Sequence, residues 1–77
     1  MKPTRITNQV KKYRLLSSLT QEELAQKLGV SRQTVIAIES GKYSPTLETA
    51  FMLANVLGAG VEELFQYPAE EEVGQND

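Results

Sequence analysis

Thr20-Gln21-Glu22-Glu23-Leu24-Ala25-Gln26-Lys27-Leu28-Gly29-Val30-Ser31-Arg32-Gln33-Thr34-Val35-Ile36-Ala37-Ile38-Glu39 contains two helix starts and a helix stop in one short run. Glu23 follows Thr20 by three residues. That spacing is a capping box, in which side chain and backbone each satisfy an amide that the first helical turn leaves unpaired. Leu24, Ala25 and Leu28 recur at helical spacing, and Gly29 gives the backbone freedom that a tight exit needs. Only Gly29 and Val30 separate that exit from Ser31, the next N-cap. From Arg32 a further helix runs to about Ser40, with Val35 and Ile38 on its inner face and Gly41 as its stop. The run predicts two helices crossing at a tight turn, with Ala25 small where they approach.

The same signals extend outward. A first helix is expected from Thr7 or Asn8 to Leu16, with Val10, Tyr13 and Arg14 on one side. After the loop Lys42-Tyr43-Ser44-Pro45, Thr46 caps a fourth helix that reaches Leu57 before Gly58. Its core arc is read as Leu47, Ala50, Phe51, Ala54 and Leu57, which puts Met52 and Val56 on the opposite side. A short fifth helix opens at Gly60, runs from Val61 to about Gln66 and is closed by Pro68, with Leu64 and Phe65 holding it down. No stretch alternates with period two over a strand's length. The expected fold is all-α: a compact five-helix domain over residues 7–67, followed by a flexible acidic tail over 68–77.

With 77 residues the chain makes one small domain. It has neither cysteine nor histidine, which removes disulfides, thiolate and imidazole metal ligands and the commonest general base. No metal, cofactor or catalytic residue is expected. The glutamate pairs Glu22-Glu23 and Glu62-Glu63 are sequence neighbours, so on a helix they diverge by roughly 100° and cannot converge on a substrate. No apolar run approaches a membrane span and no signal-peptide core follows the N-terminus, so the cytoplasm is the expected compartment. The net charge of −2 conceals a strong segregation. All eight Lys and Arg lie in residues 1–45 beside three glutamates, whereas residues 46–77 hold seven acids and no base. Such a chain presents one side to a polyanion and keeps the other acidic.

Two short helices joined by a three- to four-residue turn containing glycine form the helix-turn-helix signature. The run from Gln21 to Glu39 resembles the phage repressor/Cro type of helix-turn-helix, the XRE family. The likeness covers about residues 8–66. It rests on Thr20-Gln21-Glu22-Glu23-Leu24-Ala25, on Glu39-Ser40-Gly41-Lys42 closing the third helix, and on Ser44-Pro45 before the fourth. Ser18 departs from the usual glycine and Tyr13 from an aliphatic residue. The resemblance implies a lambda-repressor-like fold whose third helix enters the major groove of double-stranded DNA. The base readers would then be Arg32, Gln33, Ile36 and Ala37. Arginine can grip the O6/N7 edge of guanine and glutamine the N6/N7 edge of adenine, while an outward Ile36 suits a thymine methyl. In the family, the glutamine matching Gln21 binds a backbone phosphate; Ser31, Thr34, Lys42, Tyr43 and Ser44 are the other phosphate candidates. An arginine and a glutamate matching Arg14 and Glu39 form a structural salt bridge.

These readings lead to an operator-binding transcriptional regulator acting as a homodimer, with Met52, Val56 and Tyr67 as the contact surface. No small-molecule effector is evident, so control is expected through a partner or through abundance. The alternative is an antitoxin- or coactivator-like protein-interaction module on the same fold. Salt separates the two, because phosphate contacts weaken steeply as ionic strength rises.

Overall fold

α2 (Gln21–Leu28) and α3 (Arg32–Glu39) form the centre of the fold, in a computed structural model that describes residues 4–68. Thr20 accepts from the Glu23 amide at 3.0 Å while Glu23 Oε1 accepts from the Thr20 amide at 2.9 Å, completing the capping box. The exit of α2 is closed by Gly29 N–H on Gln26 O and Val30 N–H on Ala25 O. This Schellman closure needs a left-handed residue, and Gly29 supplies it at φ 73°. Ser31 then caps α3 by accepting from the Thr34 amide at 3.2 Å. Leu24, Ala25 and Leu28 from α2 and Val35 and Ile38 from α3 are buried together, which fixes the angle between the helices.

Around this pair stand α1 (Val10–Leu16), α4 (Leu47–Leu57) and α5 (Val61–Leu64). Val10, Leu53, Leu57 and Leu64 complete the core. The termini of the domain meet in a small antiparallel pair, β1 (Thr7–Asn8) with β2 (Phe65–Gln66), in the register Thr7↔Gln66 and Asn8↔Phe65. The five expected helices are all present, and this two-residue pair, which was not expected, shortens both flanking helices. α1 starts at Val10 rather than at Thr7 or Asn8, and α5 ends at Leu64 rather than near Gln66. Two-residue strands are too short to carry a periodic signal, and their partners come from opposite ends of the sequence. The tail expected over 68–77 lies, apart from Pro68, outside the described residues.

The inner face of α4 also differs from the one read in the sequence. Leu53 is fully buried, with Ala50 and Leu57 beside it. Leu47 and Phe51, expected in the core, are 72% and 55% exposed, and Ala54 is half-buried. Met52 and Val56, expected to point outward, are half-buried and pack against the core. Counting roughly 100° per residue, Phe51 stands about 160° from Leu53, whereas Val56 stands about 60° away. Leu47–Leu57 is apolar nearly all round, so its hydrophobic pattern does not say which side faces in. Met52 and Val56 therefore do not form an outward apolar pair.

Arg14 is the buried charge that joins the parts. Its Nε donates to Glu39 Oε2 at 2.6 Å, its Nη2 to Glu39 Oε1 at 3.4 Å and its Nη1 to the Leu19 carbonyl at 2.8 Å. The two side chains are only 8% and 6% exposed. One guanidinium thus ties the last turn of α1 to the end of α3 and to the turn that leads into α2. Asn8 adds a second tie. Its side-chain amide donates to the Ile38 carbonyl at 2.8 Å, and its Oδ1 accepts from the Val10 amide at 3.0 Å.

The exit of α1 repeats the closure seen at α2: Ser18 N–H bonds Leu15 O, and Leu19 N–H bonds Arg14 O. Here the left-handed residue is Ser18 at φ 59°, the single non-glycine with positive φ among the described residues. A side chain in that region costs about 1 kcal/mol or more. Ser18→Gly is therefore expected to stabilise the fold by about 0.5–1 kcal/mol, raising the melting midpoint by several degrees in a calorimetric scan. An unchanged or lowered midpoint would show that Ser18 sits there without strain. Arg14→Ala or Glu39→Ala leaves a buried charge without its partner and is expected to cost about 3–5 kcal/mol, most of the stability of so small a domain. Denaturant melts of both variants check this; two curves overlying that of the native protein would refute it.

Candidate nucleic-acid interface

The candidate surface is the side of α3 turned away from Val35 and Ile38, both of which are 1% exposed. Arg32, Gln33 and Ile36 are exposed on it, and Ala37 is half-buried. Ile36 keeps 37% of its surface in solvent, an unusual placement for a β-branched apolar residue on a short helix. The N-cap end of α3 is preorganised: the Ser31 hydroxyl lies 3.1 Å from the Thr34 hydroxyl and also receives the Thr34 amide. Ser31 is exposed and Thr34 half-buried, so this hydroxyl pair stands at the mouth of the helix.

The other end of α3 closes on Gly41, with Gly41 N–H on Ile38 O and Lys42 N–H on Ala37 O. That closure turns the chain sharply and delivers Lys42 and Tyr43 to the surface. Both are exposed, Tyr43 at 46%, and Ser44 beside them is half-buried. A polar cleft of about 340 Å³ separates this exit from the N-terminal arm, lined by residues 4–8 on one side and by Glu39, Ser40 and Gly41 on the other.

Gln21, at the first position of α2, is half-buried and its Nε2 donates to Glu39 Oε1 at 3.1 Å. The amide group is therefore held in place by the carboxylate that holds Arg14, with its second N–H still available. Gln21 and Arg32 line one shallow cleft of about 480 Å³, together with Leu15, Leu19, Thr20 and Glu22. The start of α2 and the start of α3 thus open onto a common surface. Sequence reasoning assigned Gln21 a ligand and missed its bond to Glu39, which spans 18 positions and leaves no local pattern. It also missed the tie made by Asn8, which it read only as a possible start of the first helix.

The structure therefore brings Arg32, Gln33 and Ile36 onto one exposed face and sets Gln21, Ser31 and Thr34 at the helix starts beside it. Lys42, Tyr43 and Ser44 follow at its far end. Tyr67 stands apart from this group, 63% exposed, with the Arg5 guanidinium 5.7 Å from its ring centroid. No helix among the described residues is long and apolar enough to cross a membrane.

Comparison with known proteins identifies the family. The helix-turn-helix family model matches residues 10–64. The chain is 56% identical over 64 residues to an uncharacterized HTH-type transcriptional regulator of Methanocaldococcus jannaschii, a match covering 83% of this chain and 97% of that protein. It is 38% identical over 58 residues to the cryptic phage CTXphi transcriptional repressor RstR of Vibrio cholerae, covering 75% of this chain and 52% of the repressor. Among solved structures, the restriction-modification controller protein C.AhdI from Aeromonas hydrophila superposes with a TM-score of 0.65 at 30% identity, over 70% of this chain and 78% of the controller. The chain belongs to the helix-turn-helix family, as an XRE-type DNA-binding transcriptional regulator.

Proposed function

We propose that the protein binds an operator in double-stranded DNA with α3 in the major groove, and regulates transcription in the cytoplasm by doing so. The observation that carries this reading is the outward face of α3. Arg32 and Gln33, the two side chains best suited to grip purine edges, are exposed at its start, and Ile36 follows one turn on. Gln21 shares a surface with Arg32, so a phosphate donor and a base reader can meet one duplex together. Ser31, Thr34, Lys42, Tyr43 and Ser44 extend the phosphate contacts to either end of the helix. Ala37, half-buried, gives the DNA room to approach α3 closely. The function is recognition rather than catalysis.

A two-fold homodimer fits this use. It would set two α3 helices one duplex turn apart, about 34–36 Å, on a roughly palindromic operator. Selection of bound fragments from random duplex DNA would yield the operator directly. Binding that persists unchanged from low to high salt would instead favour a protein-interaction role, because phosphate contacts must release counterions.

Two sets of substitutions separate base reading from phosphate holding. Arg32→Ala and Gln33→Ala are each expected to lose about 1–3 kcal/mol on the selected operator while retaining binding to scrambled duplex. Equal losses on both DNAs would remove them from the reading role. Gln21→Ala and Lys42→Ala are expected to weaken both DNAs alike, with Lys42→Ala also lowering the slope of log K against log salt by about one. Titrations at several salt concentrations check this, and a loss confined to the operator would contradict the assignment.

A further inference from the structure

The arm that leads into α1 is tied down at successive residues. The Ile6 amide donates to Thr4 Oγ1 at 3.1 Å, Thr7 pairs with Gln66 in the β1–β2 ladder, and the Asn8 side-chain amide holds the Ile38 carbonyl. Arg5 lies within this fixed run and is exposed. Its guanidinium stands 5.7 Å from the centroid of the Tyr67 ring, inside the range of a cation–π contact. Tyr67 directly follows β2, so the ladder that sets the arm also sets the ring beside it. Arg5 lines the polar cleft of about 340 Å³ between the arm and the exit of α3. Gly41 lines the far side, and Lys42 follows it into solvent. Glu39 supplies the acid in this lining, but its carboxylate is engaged by Arg14 and Gln21. The cleft therefore has an arginine on one wall and a lysine just beyond the other.

We propose that Arg5 holds a phosphodiester of the DNA backbone at the mouth of this cleft, and that Tyr67 is its positioning residue. The inference rests on the operator-binding reading and adds to it a contact from outside the helix-turn-helix. A duplex whose backbone passes Lys42 at the exit of α3 meets the opposite wall of the cleft at Arg5. Guanidinium suits that place, because its fork of N–H groups matches two phosphate oxygens where an ammonium offers only a point charge. It meets a ring with its face and a phosphate with its edge, so both contacts can be made at once. An exposed arginine without a tether samples many rotamers and loses that freedom on binding. Stacking on Tyr67 restricts the side chain beforehand, so less entropy is lost when the phosphate arrives. The two residues therefore act differently: Arg5 supplies the charge, and Tyr67 supplies none but holds it in place.

Fluorescence anisotropy titrations of the full chain test this, using the duplex selected from random DNA and a scrambled duplex at several salt concentrations. Arg5→Ala is expected to weaken both duplexes roughly tenfold at low salt and to lower the slope of log K against log salt by about one. Tyr67→Ala is expected to weaken both about two- to fivefold with the slope unchanged, because the charge remains. Tyr67→Phe keeps the ring face and is expected to bind as the native protein does. In the Arg5→Ala background, Tyr67→Ala is expected to cost nothing more, since the two residues act through one contact. Both side chains are exposed, so circular dichroism melts of all the variants are expected to overlie the native curve. A slope that Arg5→Ala leaves unchanged would overturn the phosphate contact. A further loss from Tyr67→Ala in the absence of Arg5, or a Tyr67→Phe variant no better than Tyr67→Ala, would overturn the positioning role. Native binding indifferent to salt would sink the operator reading itself, and that result is read from the native protein alone, before any variant.

Discussion

Arg14 reaches from the last turn of α1 to the Glu39 carboxylate and to the Leu19 carbonyl, and nearly all of its side chain is out of water. Burying two charges costs several kcal/mol in lost hydration, and that cost is offset only when the geometry is good and the remaining polar atoms are satisfied. The pair is bidentate, and further bonds surround it. The guanidinium donates three times, and Glu39 Oε1 also receives the Gln21 amide. A chain that slid α1 along α3 by one turn would strand both charges, so the pair selects a single arrangement. The direction of α3 follows from it, with Asn8 holding the Ile38 carbonyl from the side of the N-terminal arm.

Glu39 therefore has two tasks. It neutralises Arg14, and it orients Gln21 at the head of α2. A side-chain amide held by one N–H keeps its second N–H in a fixed direction, which lowers the entropy cost of binding whatever it meets. On the operator-binding reading, the packing of α1 and the placing of a phosphate contact are parts of one network. A change at Glu39 then acts on stability and on affinity together.

What the sequence disclosed follows from the range of each interaction. Caps and helix exits involve residues three to five apart, and the Thr20, Ser31 and Thr46 caps and the Gly29, Gly41 and Gly58 turns all stand where local reading put them. Ser18, conspicuous for standing in a glycine position, does adopt the conformation that glycine favours. The inner faces of α2 and α3 were legible because polar residues bracket their apolar ones. α4 lacks that contrast, so which of its sides faces in is decided by Leu53 fitting between the other helices, a tertiary fact. The β1–β2 pair and the Gln21–Glu39 bond join distant residues and have no local signature either. At the candidate interface, residue chemistry was readable from sequence, whereas its shared surface had to come from the fold.

The net charge of −2 is a poor guide to what such a molecule attracts. Exposed charges more than about 8 Å apart are largely screened at physiological ionic strength, so a phosphate responds to the groups near it and not to the sum over the chain. Arg14 is spent inside the domain and adds little to the outer field. Arg32 and Lys42 remain exposed at the start of α3 and just beyond its end, and Lys27 is exposed on α2. Glu48, Glu62 and Glu63 lie on α4 and α5, where no basic residue offsets them. On the operator-binding reading, a phosphate near α3 meets Arg32 and Lys42, whereas one near α4 and α5 meets Glu48, Glu62 and Glu63. On that reading, the acidic half disfavours approaches to DNA that lead with α4 and α5.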